Sequence, residues 1–586
     1  MSFTRPGNIP LLFLLLGLAG IAQGAGPADP LLKLVPADAG VTIALEDLSG
    51  QTREFSRSDL AQGLRRLPAF NDWTATDRFR DFKQALTKAE TLLGEPIAKI
   101  RDEIFGEAVV LTLRLPLKGR PEEARGLLLA RVPNRALLEK LIDRINTAAP
   151  DHADRPRLAR RERNGTSYQI REFAGGVRPD EFYASLDGEV FAWSNSEDLM
   201  LGAIDRQAEK KGSLADVPAF RQLRERLPRR ALISFFIDPR FAAQLMEGAP
   251  RSKDSGDERW MALLSQYLRA LRYAGLAVES RDGIMIHTEE VVDPTTLASS
   301  FKRWAGISKP SDSDLRRLPP SALMMATARL DFQALLRLFD ALANPNESQK
   351  YATLYVALEG LLLGLDLRNE VLPSIGPGVT AYIEQPDAEP GKEESMPFVL
   401  STEIGNPKVA RALENAARTL LALHAIDDKN GGGRLRLETH KMGAATVTAL
   451  SPTSPLAFAV TATYDRFILG SSSSAVARAL AAQADPEAGR RVERLRAEFF
   501  PEALSFAAAD LRAIYDYAFK RRPALARQMA ARQNRAEADA ARDLDQALAL
   551  IHLFDAAFVT SQLDQTLTRM THKIGLVNLP ETAKRP

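Results

Sequence analysis

The sequence predicts an α+β protein made by tandem duplication of two similar domains, each a mainly antiparallel sheet covered by helices. Three observations predict it: tight turns between apolar strand segments, helical segments mixed with them, and landmarks that recur in one order along the 586-residue chain. Tight turns favour antiparallel pairing, and mixed strands and helices favour α+β over a doubly wound sheet. A repeat of this length indicates a domain pair rather than a solenoid.

The landmarks that recur keep nearly constant offsets between the two halves. The clearest pairs, with offsets of 283, 270 and 272 in that order, are Pro36 with Pro319, Gly94 with Gly364, and Asp238 with Asp510. Offsets that drift by only a few residues are what duplication followed by small loop insertions and deletions would leave.

The first half predicts a series of strands and helices that the second half repeats. In chain order the first half contains a strand at 41–45, helical sequence at 79–104, strands at 108–115 and 127–132, a helix after Asn134, strands at 168–173, 182–186 and 189–193, a helix from Ser196, a strand ending at Asp238, a helix, and a strand pair at 275–280 and 283–292. The second half matches it with a helical segment at 332–365 and strands at 378–383 and 398–404. Residues 527–544 predict one long exposed helix, because alanine, arginine and glutamate favour helices.

These segments set the predicted domain boundaries. The first domain covers residues 25–292, the connection 293–313, and the second domain 314–586. The connection contains Pro294, Pro310 and alternating serine and aspartate, which are typical of a linker. Each domain has about 260 residues and is large enough for its own core.

Residues 1–24 predict a secretory signal peptide. Arg5 precedes an apolar run at 11–19, and Ala22 and Gly24 are small residues at the positions that a signal peptidase recognises. The run is shorter than the roughly 20 residues that a membrane span needs. We therefore expect cleavage near Gly24 and an extracytoplasmic, periplasmic or secreted protein. A single basic residue before the run leaves retention as an anchor open.

Composition excludes several function classes. The net charge of +2 gives no argument for binding nucleic acid. An arginine cluster at 155–163 is interleaved with acidic residues and predicts a solvated loop, as does the glycine run at 431–433. The chain has no cysteine, which excludes disulfides, thiol nucleophiles and cysteine metal sites.

The polar residues that recur in both halves predict helix caps and turns rather than a reactive site. They stand where a strand or loop gives way to a helix, where a side-chain oxygen accepts from free backbone amides. The predicted caps are Asn134, Ser196, Asp238, Asp331, Asn406, Ser474 and Asp510. Asp187-Gly188 and Asp282-Gly283 are hairpin turn signals.

No residue is predicted to be catalytic, to bind a cofactor or to bind a metal ion. The six histidines are His152, His287, His424, His440, His552 and His572. None has the three- or four-residue spacing that would place two on one helical face. Trp260 heads a helical apolar stripe and Trp193 alternates with Phe191 on a strand, so both predict core packing.

Three segments of the chain carry a resemblance to a known family: the opening Val35-Pro36-Ala37-Asp38-Ala39, the stretch from Leu362 to Gly376, and the stretch from Val217 to Asp238. In these segments the chain is similar to the bacterial exported proteins of domain of unknown function 3352. In the first half, Pro96 stands where the family has aspartate after the helix end. The resemblance implies export and assigns no activity.

Three functions remain open from the sequence. The first is a non-catalytic protein that binds an unknown protein or envelope component, or that organises the envelope. The second is a periplasmic carrier of apolar ligands or lipids, since half-buried sheets under amphipathic helices can enclose a cavity. The third is an enzyme, a hydrolase with a site in one half only. A large exposed apolar patch would favour the first.

Overall fold

The computed structural model describes most of the chain between residues 26 and 578. The described residues are 26–114, 124–147, 156–173, 179–229, 231–241, 255–280, 283–297, 318–319, 321–342, 348–385, 396–430, 436–443, 445–451, 457–461, 464–482, 496–497, 501, 503–564 and 566–578. The predicted signal peptide, most of the predicted linker, the glycine run at 431–433 and His152 lie outside them.

The structure is mixed α and β, with helices at 46% and strands at 32%. It divides into two compact units: unit 1 comprises Met1–Pro250 with Tyr267–Asp293, and unit 2 comprises Arg251–Gln266 with Pro294–Pro586.

Unit 1 contains ten described strands. They are β1 Val41–Glu46, β2 Ala108–Arg114, β3 Arg125–Arg131, β4 Arg157–Arg163, β5 Thr166–Glu172, β6 Glu181–Leu186, β7 Val190–Ser194, β8 Ile233–Ile237, β9 Leu271–Glu279 and β10 Gly283–Val292. Every pair is antiparallel, and the strand order is β4-β5-β6-β7-β3-β2-β1-β8-β9-β10.

The helices of unit 1 lie mainly between β1 and β2, after β3 and after β7. They are α1 Asp29–Leu32, α2 Leu48–Arg57, α3 Asp59–Arg66, α4 Pro68–Thr74, α5 Asp77–Leu93, α6 Ile97–Ile104, α7 Arg135–Thr147, α8 Glu197–Glu209 and α9 Pro218–Arg224; α10 Ser255–Ala270 spans the division between the units. A short 3-10 turn covers Leu214–Asp216.

Helices cover both faces of the unit 1 sheet. On the inner face, α1, α8 and α9 bury the main core, in which Phe220 contacts the rings of Phe236 and Tyr273 edge to face at 5.0 and 5.5 Å. On the opposite, outer face, α6 and α7 pack against β2 and β3 around Ile104 and Leu137. Apolar residues recur at helical spacing in these helices and on successive sides of these strands, so each element can pack in these clusters.

Unit 2 repeats the strand order of unit 1 over its ten described strands. They are β11 Ala322–Arg329, β12 Ile375–Glu384, β13 Phe398–Ile404, β14 Arg436–Met442, β15 Ala445–Ser451, β16 Ala457–Thr461, β17 Arg466–Gly470, β18 Ser505–Asp510, β19 Ala556–Leu563 and β20 Arg569–Val577. All pairs are antiparallel, in the order β14-β15-β16-β17-β13-β12-β11-β18-β19-β20.

The helices of unit 2 fall between the same strands. They are α11 Phe332–Leu342, α12 Ser348–Leu361, α13 Leu372–Ser374, α14 Pro407–Asn430, α15 Ser473–Ala482, α16 Leu511–Lys520, α17 Arg522–Gln533 and α18 Glu537–Ile551; a π-helical turn covers Leu367–Val371. A buried cluster joins α14 to β13 through Val409, Ala410 and Ile404.

Two expectations about local structure were wrong. The arginine-rich segment is the edge strand β4 rather than a loop, because acidic side chains of α8 bind its guanidinium groups: Arg161 to Glu197 at 2.7 Å and Arg163 to Asp205 at 2.9 Å. Charged residues on an edge strand also discourage pairing with another chain. The predicted long helix at 527–544 is two helices, α17 and α18, because Asn534 adopts the left-handed conformation at φ 49°.

Candidate functional site

The outer face of the unit 2 sheet carries two continuous rows of apolar side chains. Residues that pair directly across strands point to the same face, so the register defines each row. From β13 to β20, the first row is Phe398, Ile383, Met324, Ala509, Ala557 and Leu576; the second is Leu400, Ala381, Ala326, Ala507, Val559 and Ile574.

Six of the seven large side chains in these rows are exposed, and the seventh, Ile383, is half-buried. Met324, Val559 and Ile574 are 48%, 50% and 48% exposed, and the side chains at the β13 end and Leu576 are between 37% and 40% exposed. Single exposed apolar residues are common on soluble proteins, but a contiguous set marks an interaction surface. The opposite face of the same strands is buried, with Met325, Phe506 and Phe558 at 6% or less.

Small side chains are the majority in the middle of this surface, on β12, β11, β18 and β19, where the three larger ones among the eight positions are Ile383, Met324 and Val559. Alanine occupies five of its central positions: Ala326, Ala381, Ala507, Ala509 and Ala557. This floor spans β12 to β19, which is three interstrand spacings or about 14 Å, and β13 to β20 is about 24 Å. Met324 is the long side chain on the floor, and an unbranched thioether adapts its shape readily. We call this surface the alanine trough.

A third row borders the trough and is largely polar. Its members, from β13 to β20, are Thr402, Val379, Ala328, Ser505, Ser561 and His572. The Ser561 hydroxyl lies 2.9 Å from Nδ1 of His572. None of the eighteen positions in the three rows is Asp, Glu, Lys or Arg, so the trough is an apolar floor with a hydroxyl-bearing rim, as protein interfaces have a polar rim.

Helix α14 rises beside the trough on the same face. Leu469 pairs with Leu400 of the second row and packs in the cluster under α14, which fixes the face. The buried stripe of α14 begins with Val409 and Ala416. Leu420 and Leu423 continue it at helical spacing but are 53% and 55% exposed.

The sheet under the trough is anchored on its inner face by a buried carboxylate. Glu384 is 2% exposed and accepts hydrogen bonds from the Ser321 hydroxyl at 3.0 Å and from Arg478 Nε of α15 at 2.9 Å. Burial raises the pKa of the neighbouring Tyr382, and the charge of Glu384 adds to the effect. These partners fix β12 against α15.

The corresponding surface of unit 1 is filled. Taking Val41 as the counterpart of Met324, the paired positions hold Ile43, Leu111, Phe235 and Ile237 where unit 2 has alanine, and Ala274 where it has Ala557. Ile43, Leu111 and Phe235 are half-buried. On β10, Glu290 accepts a hydrogen bond from the Tyr267 hydroxyl.

The strongest electrostatic cluster lies in unit 1 and is closed. Glu46 is fully buried and accepts from Arg224 Nη2 at 2.8 and 3.1 Å and from the Ala28 amide at 2.9 Å; Arg224 Nε also donates to Asp29 at 3.0 Å. Burial raises the pKa of Glu46, and attraction to Arg224 offsets part of that rise. The cluster joins α1, β1 and α9 and is a structural ion-pair network.

Four of the described histidines have separate partners. His287 lies 2.8 Å from Glu279, His440 3.3 Å from Glu438, and His552 stacks on Tyr515 with ring centroids 4.5 Å apart. His424 is exposed on α14. Within the part of the chain that the structure describes, no three His, Cys, Asp or Glu side chains form a group that could hold a metal ion.

Most of the predicted caps have their predicted role. Asn134, Asp331 and Asp510 accept from backbone amides three residues ahead at 3.0, 2.8 and 3.0 Å. Asn406 and Asp238 accept two residues ahead, both at 2.9 Å.

Two caps were wrong. Ser196 precedes α8 but makes no side-chain cap. Ser472 rather than Ser474 caps α15, because that helix begins at Ser473.

Asp187 and Gly188 both have positive φ, as the predicted hairpin turn requires. Asp282 and the side chain of Trp260 lie outside the described residues, and Trp193 is half-buried on β7.

Sequence reasoning missed the trough. The signal was present in segments such as Ser505–Asp510 and Ala556–Leu563, whose apolar residues occupy both faces of the strand instead of alternating with polar ones. Such a strand is covered on both faces or leaves one apolar face exposed.

Comparisons with known proteins assign no family to this chain. No family model matches the sequence, and no curated protein matches it. Two crystal forms of TP0453, forms IV and III, are structurally similar at TM-scores of 0.23 and 0.22, with 12% and 11% identity. They cover 45% and 47% of this chain and 81% and 86% of TP0453. Similarity at this level identifies neither a fold family nor a function.

Proposed function

We propose that this protein is a non-catalytic binding protein whose alanine trough docks an amphipathic α-helix of a partner protein. The observation that carries the proposal is the pair of apolar rows that crosses six strands with its large side chains exposed. A helix is 10–12 Å across, and the alanine-rich floor from β12 to β19 is about 14 Å wide. Helix-in-groove recognition uses apolar anchors at i, i+3, i+4 and i+7. The three rows extend about 13 Å along the strands, or about two and a half helical turns, so they can receive these anchors.

A helix fits this surface better than a lipid chain does. Six of the seven large side chains along the trough are 37–50% exposed, so the surface is open rather than enclosed. An acyl chain on an open sheet would keep its outer side in water and lose about half of its hydrophobic stabilisation. An amphipathic helix turns its polar side outward and loses nothing there.

The described titratable groups support a non-catalytic role. Glu46, the carboxyl group whose pKa is raised by burial, is fully buried and bound by Arg224 and a backbone amide. Perturbed groups mark an active site when they line a cleft. Glu46 instead fixes three elements of unit 1.

We also propose that the two units arose by duplication. The strand register supports it. Val41 pairs with Leu113 and Ile237, and its counterpart at offset 283, Met324, pairs with Ile383 and Ala509. The resulting offsets are 383 − 113 = 270 and 509 − 237 = 272. They equal the offsets that Gly94 with Gly364 and Asp238 with Asp510 give independently.

Export through the segment at 1–24 and membership of the 3352 family stay part of the proposal. Across the described part of the chain, no helix has the length and apolarity needed to cross a bilayer. The partner protein would then lie in the compartment to which the signal peptide directs this chain.

The proposal is tested with a synthetic 16-residue amphipathic helix, leucine on one face and lysine and glutamate on the other, labelled with a fluorophore. Anisotropy titration against the mature chain, residues 25–586, should give saturable binding, and a scrambled peptide of the same composition should bind at least tenfold more weakly. Val559→Glu, which places a charge on the trough, should reduce the affinity at least tenfold.

Leu158→Glu is the matched control. Leu158 is 51% exposed on strand β4, close to the 50% exposure of Val559, but lies in unit 1. The control should bind like the wild type. Equal binding of the ordered and scrambled peptides, or an unchanged affinity in V559E, would contradict the proposed function, and saturable uptake of lipid vesicles alone would favour the carrier instead.

A further inference from the structure

Helix α14 and the alanine trough form a step on one face of unit 2. The helix packs on β13 to β17, and the trough lies over the strands from β12 to β20. The end of α14 carries three exposed large apolar side chains, Leu420, Leu423 and Ile426, at 53%, 55% and 56%. A raised apolar helix therefore lies beside a low apolar floor.

Such a step is self-complementary under a two-fold rotation. When a second copy is turned by 180° and faces the first, the raised side of each copy lies over the low side of the other. Isologous two-fold dimers are the commonest symmetric assembly of soluble proteins.

We propose that two copies of this chain form a two-fold dimer in which the C-terminal part of α14 from each copy docks in the alanine trough of the other. The inference rests on the proposed function in that the trough binds a helix, and it names the helix. Leu420, Leu423 and Ile426 are the anchors, and Ala326, Ala507 and Ala509 form the floor that receives them.

Size and polarity favour this occupant. Large side chains opposite alanines fill the space between two elements without overlap. From Arg418 to Ile426 the helix contains one permanently charged residue, and Arg418 is bound by Glu414 at 2.7 Å within the same helix. No charge therefore has to be buried against the uncharged trough.

The expected area is enough for a weak, specific dimer. The three rows span about 24 Å by 13 Å, or roughly 300 Å². Two troughs and two helices bury about four such areas, roughly 1,200 Å² in all, which is the lower limit of a stable interface. Interfaces of about 1,600 Å² range from micromolar to picomolar affinity, so we expect the dissociation constant of this smaller one to be in the micromolar range.

Sedimentation velocity of residues 25–586 tests the dimer over a concentration range of about 1 to 100 µM, which brackets the expected dissociation constant. The wild type should pass from monomer to dimer. Leu423→Glu, which charges the helix, and Val559→Glu, which charges the trough, should each stay monomeric throughout. The control Leu158→Glu should dimerise like the wild type.

The double variant Leu423→Glu with Val559→Lys gives the decisive result. In its two-fold pair, the new carboxylate on α14 of each copy faces the new ammonium group in the trough of the other, so both contacts have complementary charge. The double variant should therefore dimerise, whereas L423E alone stays monomeric. Circular dichroism of each variant shows whether it is folded, so loss of dimer by unfolding is recognised.

The remaining outcomes contradict the dimer, and they also show whether the proposed function fails with it. A wild type that stays monomeric at 100 µM but binds the synthetic helix contradicts the dimer alone. A dimer that survives in V559E and is lost in L423E shows helix-to-helix contact, and the reverse shows trough-to-trough contact; either rejects the exchange of α14. A chain that neither dimerises nor binds the helix loses both proposals.

Discussion

Unit 1 and unit 2 pair their ten described strands in the same order, yet their outer faces differ. At positions equivalent by pairing, unit 1 has Ile43, Leu111 and Phe235, which are half-buried, and unit 2 has Ala326, Ala381 and Ala507. Strand order depends on backbone hydrogen bonds and on the inner core, which both units retain. The side chains of the outer face are free to vary, so the same sheet supports a filled surface or a trough.

The two units also differ in how they are held together inside. Unit 1 buries the Glu46–Arg224 pair, with Glu46 fully buried. At offset 283 the counterpart of Glu46 in unit 2 is Arg329, so the same ion pair cannot form there. Unit 2 anchors its sheet through Glu384 at the end of β12 instead.

The largest effect should come from breaking the ion network of unit 1. Arg224→Met leaves Glu46 buried without its cation, which costs about 3–5 kcal/mol of the free energy of unfolding. Urea unfolding followed by circular dichroism should show an early transition for unit 1 while unit 2 unfolds as in the wild type.

The double variant Glu46→Leu with Arg224→Met separates charge from packing. Replacing both charges by apolar groups should recover most of the loss. If R224M shifts the urea unfolding transitions of both units equally, the two units do not unfold independently. The difference between their interiors would then not affect their relative stability.

A second prediction concerns the filled face of unit 1. Phe235→Ala should destabilise the protein by about 2 kcal/mol, roughly half the cost at a fully buried site, because Phe235 is half-buried. The denaturation midpoint measures it. A cost near zero would mean that the unit 1 face is as open as the trough.

The free energy of unfolding should depend on pH through the protonation of Glu46. Its pKa in the folded protein is raised above the ordinary value. Its contribution is therefore fully present below about pH 4.5 and is lost as the pH rises through the folded pKa. The free energy of unfolding of the wild type minus that of Glu46→Gln should be larger at pH 4 than at pH 7, and an unchanged difference would remove this assignment.

The smallest effect is expected at the edge of unit 1. Arg163 binds Asp205 through two hydrogen bonds of 2.9 Å, and its side chain is 51% exposed. Exposed pairs contribute about 0–1 kcal/mol. Arg163→Ala should therefore change the midpoint of urea unfolding only slightly, and a loss above about 2 kcal/mol would show that β4 needs its acidic partners on α8 to pair at all.

Much of the fold could be predicted from the sequence. The strand at Phe398–Ile404 has its predicted bounds, and the strands around Tyr168, Phe182 and Val190 lie where alternation placed them. Local turn chemistry at Asp187-Gly188 explains this success. The edge strand β4 could not be predicted, because its partners on α8 are distant in sequence and a run of arginines has no strand periodicity.

The trough could not be predicted for a different reason. An apolar residue on a strand has the same sequence signature whether a helix covers it or water does. Only the register shows that Phe398, Met324 and Leu576 belong to one row, and only their exposure shows that the row is open. The same holds for Leu420 and Leu423, which are exposed on α14 although the adjacent Leu421 is buried in its core cluster.

The contrast between a filled and an open face is tested most directly by giving unit 2 the side chains of unit 1. Ala507→Phe with Ala509→Ile introduces the counterparts Phe235 and Ile237 into the trough. Titration of the labelled synthetic helix against this variant and the wild type is the measurement. We predict at least a tenfold loss of affinity with an unchanged denaturation midpoint, and an unchanged affinity would contradict the trough as the binding site.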